Sequence, residues 1–178
     1  MKLTFYYDVC SQWSYFGDLA LDRLRVKHGS DLDVEWKIAM VKDGEAVGYT
    51  SEALGWMYRR SESITGIAVT SRWIQGNDRT LYANLAVAAA GRLGHDVRRQ
   101  VAEAVLLRGE PGARKSTQEF RALTVTDVPT FLFRNEIDDA ALLSGLCEFE
   151  TLDQAIAEML RAERGYAAFG AANAPSPA

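Results

Sequence analysis

A stretch near the start of the chain, DVCSQWSYFG at residues 8–17, contains side chains whose types could do chemistry. Among them are a cysteine, Cys10, and two serines, Ser11 and Ser14. A cysteine in its thiolate form is a nucleophile or a redox group. A serine at the start of a helix can cap the backbone, or it can donate its O–H to an anion near the positive end of the helix dipole. The elements around this stretch decide which of these roles is open.

The flanking sequence predicts a strand, a helix and a second strand. Residues 3–9 are almost continuously apolar, as in a strand that is buried on both faces. The next apolar residues recur at helical spacing, with Ser11 or Ser14 as a candidate N-cap and Gly29 at the far end. Residues 32–40 alternate between apolar and mostly polar side chains, which is typical of a strand. The predicted βαβ unit has parallel strands and a right-handed crossover.

The remaining pattern predicts a helical insertion followed by a β-hairpin and a closing helix. Residues 43–123 form the insertion, with helices expected over residues 51–60 and from Leu81 and Val97 onward. The later strands, the closing helix and a disordered tail are predicted at residues 130–133, 141–144, 149–163 and 166–178. The predicted fold class is α/β, and its core is formed by residues 1–42 together with residues 124–165.

Composition and charge exclude several classes of function. The chain has 178 residues, 48% of them hydrophobic, and a formal net charge of −4, which argues against a nucleic-acid surface. No apolar run approaches the roughly 18 to 20 residues that cross a bilayer, so no membrane association is expected and a cytoplasmic location is predicted. Cys10 and Cys147 are far apart and form no CxxC motif, so no metal site is predicted.

The order of elements and three short motifs resemble the DsbA branch of the thioredoxin fold. DVCSQWSYFG resembles the D-x-x-C-P-W-C-Y-x-G stretch of FrnE-type dithiol oxidoreductases. It equally resembles the D-x-x-S-P-Y-S stretch of kappa-class glutathione transferases and 2-hydroxychromene-2-carboxylate isomerases. DVPTFLF resembles the cis-proline segment of these proteins, and LLSGLCEFETLDQAI resembles the closing strand and helix of the FrnE-type members. Compared with that branch, the insertion is expected to be shortened.

The resemblance implies a role for several residues at one end of the fold. Ser11 and Ser14 fall on the first and second catalytic positions, so Ser11 would hold the thiolate of glutathione or another low-molecular-weight thiol. The Val128–Pro129 bond would be cis and would leave the Val128 backbone free to pair with a bound thiol peptide. The other residues expected to contact the cofactor are Gln12, Trp13 and Glu148, although an acidic Glu148 disfavours a carboxylate ligand.

Each of these residues also has a purely structural interpretation. Ser11 can be only an N-cap, and Ser14 can be structural or a supporting hydrogen-bond donor. Trp13 can pack the first helix on the sheet instead of lining a site. Glu148 can favour the first turn of the closing helix. Cys10 can be a small buried hydrophobe, a displaced nucleophile, or the partner of Cys147 in a disulfide. The disulfide is disfavoured because the third strand separates the two cysteines.

The resemblance therefore implies a thiol-dependent isomerase or transferase that acts on a small electrophile. Two alternatives stay open at this point. One is a thiol-disulfide oxidoreductase that uses Cys10, and the other is a binding protein that has lost catalysis. The expected partners are a small-molecule substrate and, because relatives often dimerise, a second copy of the chain in a homodimer.

Overall fold

The computed structural model describes residues 1–8, 11–45, 48–67, 80–93 and 111–173. In chain order the helices and strands are β1 (Lys2–Tyr7), α1 (Gln12–His28), β2 (Asp33–Ile38), α2 (Ser51–Thr65), α3 (Leu81–Leu93), α4 (Pro111–Ala122), β3 (Thr130–Arg134), β4 (Ala140–Ser144) and α5 (Phe149–Ala172). Short 3-10 turns follow α1 and β2 at Gly29–Asp31 and Val41–Gly44. The predicted α/β class and the predicted order of strands and helices at both ends of the chain are confirmed.

The four strands form one mixed sheet in the order β2-β1-β3-β4. β1 pairs in parallel with β2 and antiparallel with β3, and β3 pairs antiparallel with β4. In this register Phe5 lies opposite Trp36 on one side and Phe131 on the other. Because β1 and β4 run in the same direction, the residues after both strands come to the same edge of the sheet.

Apolar side chains cover both faces of the sheet. One cluster joins the sheet to α1 and α5, and its fully buried members are Leu3, Phe5, Leu21, Leu24, Phe131, Phe133, Leu152 and Ile156. A second cluster on the opposite face contains Tyr6, Ala39, Phe120, Val128 and Leu132. Alternate residues of β1 and β3 face opposite clusters, which explains why these central strands are mostly apolar on both faces.

The closing helix is longer than the sequence pattern predicts. The prediction of a disordered tail from residue 166 is wrong as far as Ala172, where α5 ends. The sequence before this point is rich in alanine, which favours helix, and contains no proline. Asn173 ends the helix by donating its backbone N–H to the carbonyls of Phe169 and Gly170. Residues 174–178 lie outside the described residues.

The insertion contains a helix that the sequence did not predict and one predicted helix that lies outside the described residues. α4, at Pro111–Ala122, is strongly polar, and Phe120 is its only buried apolar side chain among residues 115–122. That composition gives no clear apolar periodicity. The helix predicted from Val97 lies outside the described residues. Within the described ranges, no helix is long and apolar enough to cross a membrane.

Helix α1 lies directly against the loop that precedes β3. The Val128–Pro129 peptide bond in that loop is cis. A Cβ atom added at Gly17 would lie 3.0 Å from the ring of Phe5 and 3.0 Å from Cγ of Pro129. Any larger residue would therefore have to push α1 away from both β1 and Pro129.

Replacing Gly17 by alanine should lower the free energy of unfolding by about 1 to 3 kcal/mol, because the added methyl group overpacks this contact. Gly165 provides the matched control, since it lies in exposed α5 with no atom within 4 Å of an added Cβ. Gly165→Ala should leave stability unchanged or raise it by up to about 1 kcal/mol. Urea unfolding of both variants measures the difference, and equal effects would contradict the close contact.

Candidate functional site

Ser11 is the N-cap of α1 at the edge of the sheet. Its Oγ accepts a hydrogen bond from the Ser14 backbone N–H at 3.3 Å, and its backbone is extended, with φ −86° and ψ 119°. The N-cap interpretation of Ser11 is therefore confirmed. A hydroxyl that accepts through a lone pair still has its own proton, so the Ser11 O–H can donate to a group outside the helix. The half-buried position of Ser11 is compatible with such a contact.

Ser14 lies inside the protein. Its side chain accepts a hydrogen bond from the backbone N–H of Asp8 at 3.2 Å, and the residue is 3% exposed. Ser14 therefore connects the first turn of α1 to the end of β1. Its hydroxyl is placed to hold the helix start in position, which is a structural role for a residue that the resemblance puts on the second catalytic position.

Gln12 and Trp13 contact α2 through one hydroxyl. Nε2 of Gln12 and Nε1 of Trp13 donate to Oγ of Ser61, at 2.6 and 3.1 Å. Ser61 is fully buried and itself donates to the carbonyl of Met57 at 2.8 Å. Trp13 therefore contacts α2 through its ring nitrogen, a contact that the sequence did not predict. The Trp13 ring lies 6.0 Å from that of Trp56, centroid to centroid.

The loop before β3 has an unpartnered stretch of backbone beside α1. Asp127 accepts hydrogen bonds at its carbonyl from the hydroxyls of Thr130 and Ser144, at 2.7 and 3.1 Å. The Pro129 carbonyl accepts from the Gly145 N–H at 2.8 Å. For the N–H and C=O of Val128, by contrast, no hydrogen bond to another described residue is found. Backbone groups in so buried a residue are usually paired, so this pair is suited to a ligand.

The turn between β4 and α5 lies at the same edge of the sheet as the start of α1. Glu148 is the N-cap of α5, but its exposed side chain makes no capping hydrogen bond. Cys147 is half-buried, and burial raises the pKa of its thiol, while the charge of Arg60 acts in the opposite direction. Arg60 of α2 is therefore close to this turn. Cys10 lies outside the described residues, so its three possible roles, including the bridge to Cys147, stay predictions.

An open depression on α2 adjoins these residues. It is lined by Trp56, Arg59, Arg60 and Ser63, which are spaced to lie on one face of the helix. Neither Arg59 nor Arg60 forms an ion pair with another described residue. Two guanidinium groups that share this depression with the Trp56 indole suit a flat anionic ligand.

Several residues of this region were missed by the sequence analysis. Ser61, Arg60 and Tyr49 belong to the insertion, where no motif marks them. Burial raises the pKa of Tyr49, and the charges of Asp127 and Asp8 raise it further, so Tyr49 lies near the cis-proline loop. Its phenol therefore stays protonated at neutral pH. Asp8 is the first residue of the DVCSQWSYFG motif, and no role was predicted for it.

The architecture is shared by solved structures of low sequence identity. A probable DsbA oxidoreductase from Streptomyces coelicolor matches 90% of this chain over 90% of its own, with 18% identity and a TM-score of 0.59. A 2-hydroxychromene-2-carboxylate isomerase matches 93% of this chain over 99% of its own, with 16% identity and a TM-score of 0.58. The match to the cytosolic disulfide reductase DsbM from Pseudomonas aeruginosa covers 81% of this chain and 89% of that protein, with 16% identity and a TM-score of 0.55.

The chain has a DsbA-like thioredoxin fold. No model of a known protein family matches the sequence, and no curated protein matches it. The fold confirms the resemblance that the motifs indicated. It does not by itself distinguish the chemistry of the matched proteins, which include a disulfide reductase and an isomerase.

In this DsbA-like chain, Ser61→Ala should lower the free energy of unfolding by about 1 to 3 kcal/mol, because Gln12 and Trp13 lose their common acceptor. Ser63→Ala is the matched control, since Ser63 is exposed and its hydroxyl only donates to the carbonyl of Arg60 in its own helix. Its effect should stay within about 0.5 kcal/mol. Chemical unfolding followed by circular dichroism compares the two variants. A Ser61→Ala protein as stable as Ser63→Ala would show that this hydroxyl does not hold α1 to α2.

Proposed function

We propose that this DsbA-like chain binds a low-molecular-weight thiol at the start of α1 and acts as a thiol-dependent isomerase or transferase on a small electrophile. The observation that carries the proposal is Ser11 as the N-cap of α1, a helix that packs at Gly17 against Pro129, next to the Val128 backbone that makes no hydrogen bond to another described residue. The sequence places no cysteine at either catalytic position of the motif, which favours a sulfur supplied by another molecule.

The residues at the helix start suit a thiol peptide such as glutathione. The Ser11 O–H and the positive end of the α1 dipole would hold the sulfur in its thiolate form. The N–H and C=O of Val128 would pair with the peptide backbone of the ligand, as an added strand pairs with a sheet edge. When bound, the thiol would supply a nucleophilic sulfur. The exposed carboxylate of Glu148 disfavours a ligand carboxylate next to it, whereas Arg60 favours one on the α2 side.

The residues on the α2 side of the site suit a substrate that has an unsaturated carbon skeleton and a negative charge. The rings of Trp13 and Trp56 provide an apolar wall, and Arg59 and Arg60 provide unpaired positive charge. The 2-hydroxychromene-2-carboxylate isomerase that shares this fold acts, by its name, on a carboxylate. We extend that substrate class to this chain because of the two guanidinium groups. A cytoplasmic location and a homodimer remain predictions from the sequence.

Three substitutions at Ser11 separate capping from thiol binding in a calorimetric titration with glutathione. Ser11→Thr retains both the cap and the O–H, so it should bind about as tightly as the unmodified chain. Ser11→Asp retains the cap but places a negative charge against the sulfur, so the protein should keep its stability and bind at least about tenfold more weakly. Ser11→Ala should lose both. Equal glutathione affinity in all four proteins would refute the role of the Ser11 hydroxyl.

Cys10→Ser is the control that distinguishes thiol binding at Ser11 from the alternative of a thiol-disulfide oxidoreductase that uses Cys10. If Ser11 holds the thiol, Cys10→Ser should leave the affinity for glutathione unchanged. Loss of binding in Cys10→Ser, together with a mixed disulfide between Cys10 and glutathione in the unmodified chain, would favour the oxidoreductase instead. Binding that depends on Ser11 without turnover of any electrophile would favour the binding protein that has lost catalysis.

The anion-binding side can be tested with 2-naphthoate as a probe. Arg60→Gln should weaken its binding several-fold, and added salt should weaken binding to the unmodified chain, because the charges are exposed. Arg164→Gln, on exposed α5, is the matched control and should bind as the unmodified chain does. Nuclear magnetic resonance titration measures the affinities. If the neutral 2-naphthamide bound as tightly as 2-naphthoate, the negative charge of the probe would have no role in binding.

A further inference from the structure

One buried carboxylate beside the candidate site has no place in the proposed chemistry. Asp8 follows β1, and the residue is 2% exposed. Oδ2 accepts hydrogen bonds from the backbone N–H of Val41 at 3.0 Å and from the Thr80 hydroxyl at 3.3 Å. Oδ1 accepts from Nδ2 of Asn84 at 2.8 Å, and Asn84 is itself fully buried. Asp8 therefore joins β1 to the turn after β2 and to the start of α3.

The backbone of the same residue fixes the start of α1. The Asp8 N–H donates to Oγ of Ser14 at 3.2 Å, and the Asp8 carbonyl accepts from the Ser11 N–H at 2.9 Å. Ser11 and Ser14 are joined in turn by the capping hydrogen bond between them. The three residues form a closed set of hydrogen bonds, which we call the Asp8 bracket. Any movement of Asp8 changes the position of the Ser11 hydroxyl.

The start of α3, which supplies donors to the Asp8 carboxylate, packs closely against the turn after β2. The Thr80 N–H donates to the Gly44 carbonyl at 2.9 Å, and the carbonyl of Thr80 accepts from Nδ2 of Asn84. A Cβ at Gly44 would lie only 2.6 Å from Cα of Leu81, so nothing larger than glycine fits there. Two of the donors to the Asp8 carboxylate, the Thr80 hydroxyl and the Asn84 amide, are thus supplied by the docked position of α3.

We propose that Asp8 is a positioning residue that couples docking of α3 to the geometry of the thiol site. A buried carboxylate that loses a donor is strongly disfavoured, so displacement of α3 favours displacement of Asp8 and with it opening of the Asp8 bracket. Because such coupling is reciprocal, a thiol bound at Ser11 also stabilises the docked position of α3. The thiol-binding part of this inference rests on the proposed function, whereas the coupling of α3 to the bracket does not.

The coupling can be measured by amide hydrogen exchange, with two contacts of the insertion compared. Asn84→Ala removes a donor to Asp8 without changing β1 or α1. Ser116→Ala is the control, because the Ser116 hydroxyl joins α4 to the carbonyl of Ile38 at 2.6 Å and does not contact the Asp8 carboxylate. In Asn84→Ala, exchange of the amides of Asp8, Ser11 and Ser14 should rise roughly tenfold together with the α3 amides. In Ser116→Ala, exchange of those bracket amides should stay unchanged.

Two outcomes would overturn the coupling. In one, exchange of the α3 amides rises in Asn84→Ala while the bracket amides are unaffected. In the other, exchange of the core amides of Phe131 and Phe133 rises as much as that of the bracket amides, which would indicate a general loss of stability. If Asn84→Ala does not fold, Thr80→Val removes the second donor, and Thr80→Ser should restore the bracket by returning the hydroxyl.

Glutathione titrations separate this inference from the proposed function. If both hold, Asn84→Ala should bind glutathione roughly tenfold more weakly than Ser116→Ala, and glutathione should slow α3 exchange in the unmodified chain. If the unmodified chain binds no glutathione but the exchange result holds, the proposed function fails and the coupling stands. If glutathione binds equally to both variants while Ser11→Asp abolishes binding, the thiol site stands and its control by Asp8 is overturned.

Discussion

The hydrogen bonds of Asp8 are the interaction on which the rest of the site depends. The residue stands where β1 gives way to α1, and its backbone and its carboxylate serve different neighbours. The backbone holds Ser11 and Ser14, and the carboxylate binds donors from Val41, Thr80 and Asn84. The carboxylate is accommodated in this interior because its oxygens accept hydrogen bonds from these donors. Asp8 is thus one of the points at which the core fold and its helical insertion meet, together with Ser61 and Ser116.

The chemistry of the site follows from what stands at the start of α1. In the dithiol proteins that the motif resembles, a cysteine of the protein occupies the position that Ser11 has here. A serine there cannot exchange disulfides, but the helix dipole and the hydroxyl still favour a negatively charged sulfur. The backbone of Val128, which makes no hydrogen bond within the described part of the chain, lies in the loop beside α1, and the arginine-bearing face of α2 adjoins the same region. The combination suits an external thiol and an anionic electrophile better than a redox exchange within the chain.

Much of the fold could be predicted from the sequence because the relevant signals are local. Strand β2 shows strict alternation, Ser11 precedes an amphipathic helix, and Pro129 opens a short apolar strand. The site was predicted less completely. Ser61 and Asn84 are polar residues whose importance comes from partners 49 and 76 residues away in the chain, and no spacing rule marks them. The contact of Trp13 with α2 was not predicted for the same reason, since its partner Ser61 lies 48 residues away in the chain. Helix α4 lacks the apolar periodicity that identifies a helix facing a core.

The central claim is that the start of α1 stabilises a thiolate that belongs to another molecule. It is tested most directly by the ionisation of glutathione labelled with carbon-13 at its cysteine Cβ, followed by nuclear magnetic resonance as a function of pH in the presence of saturating protein. Bound to this chain, the thiol should ionise at least about one pH unit below the value of about 8.5 that is usual for a free cysteine thiol. Ionisation at the same pH with and without the protein, under conditions in which binding is saturated, would contradict the account.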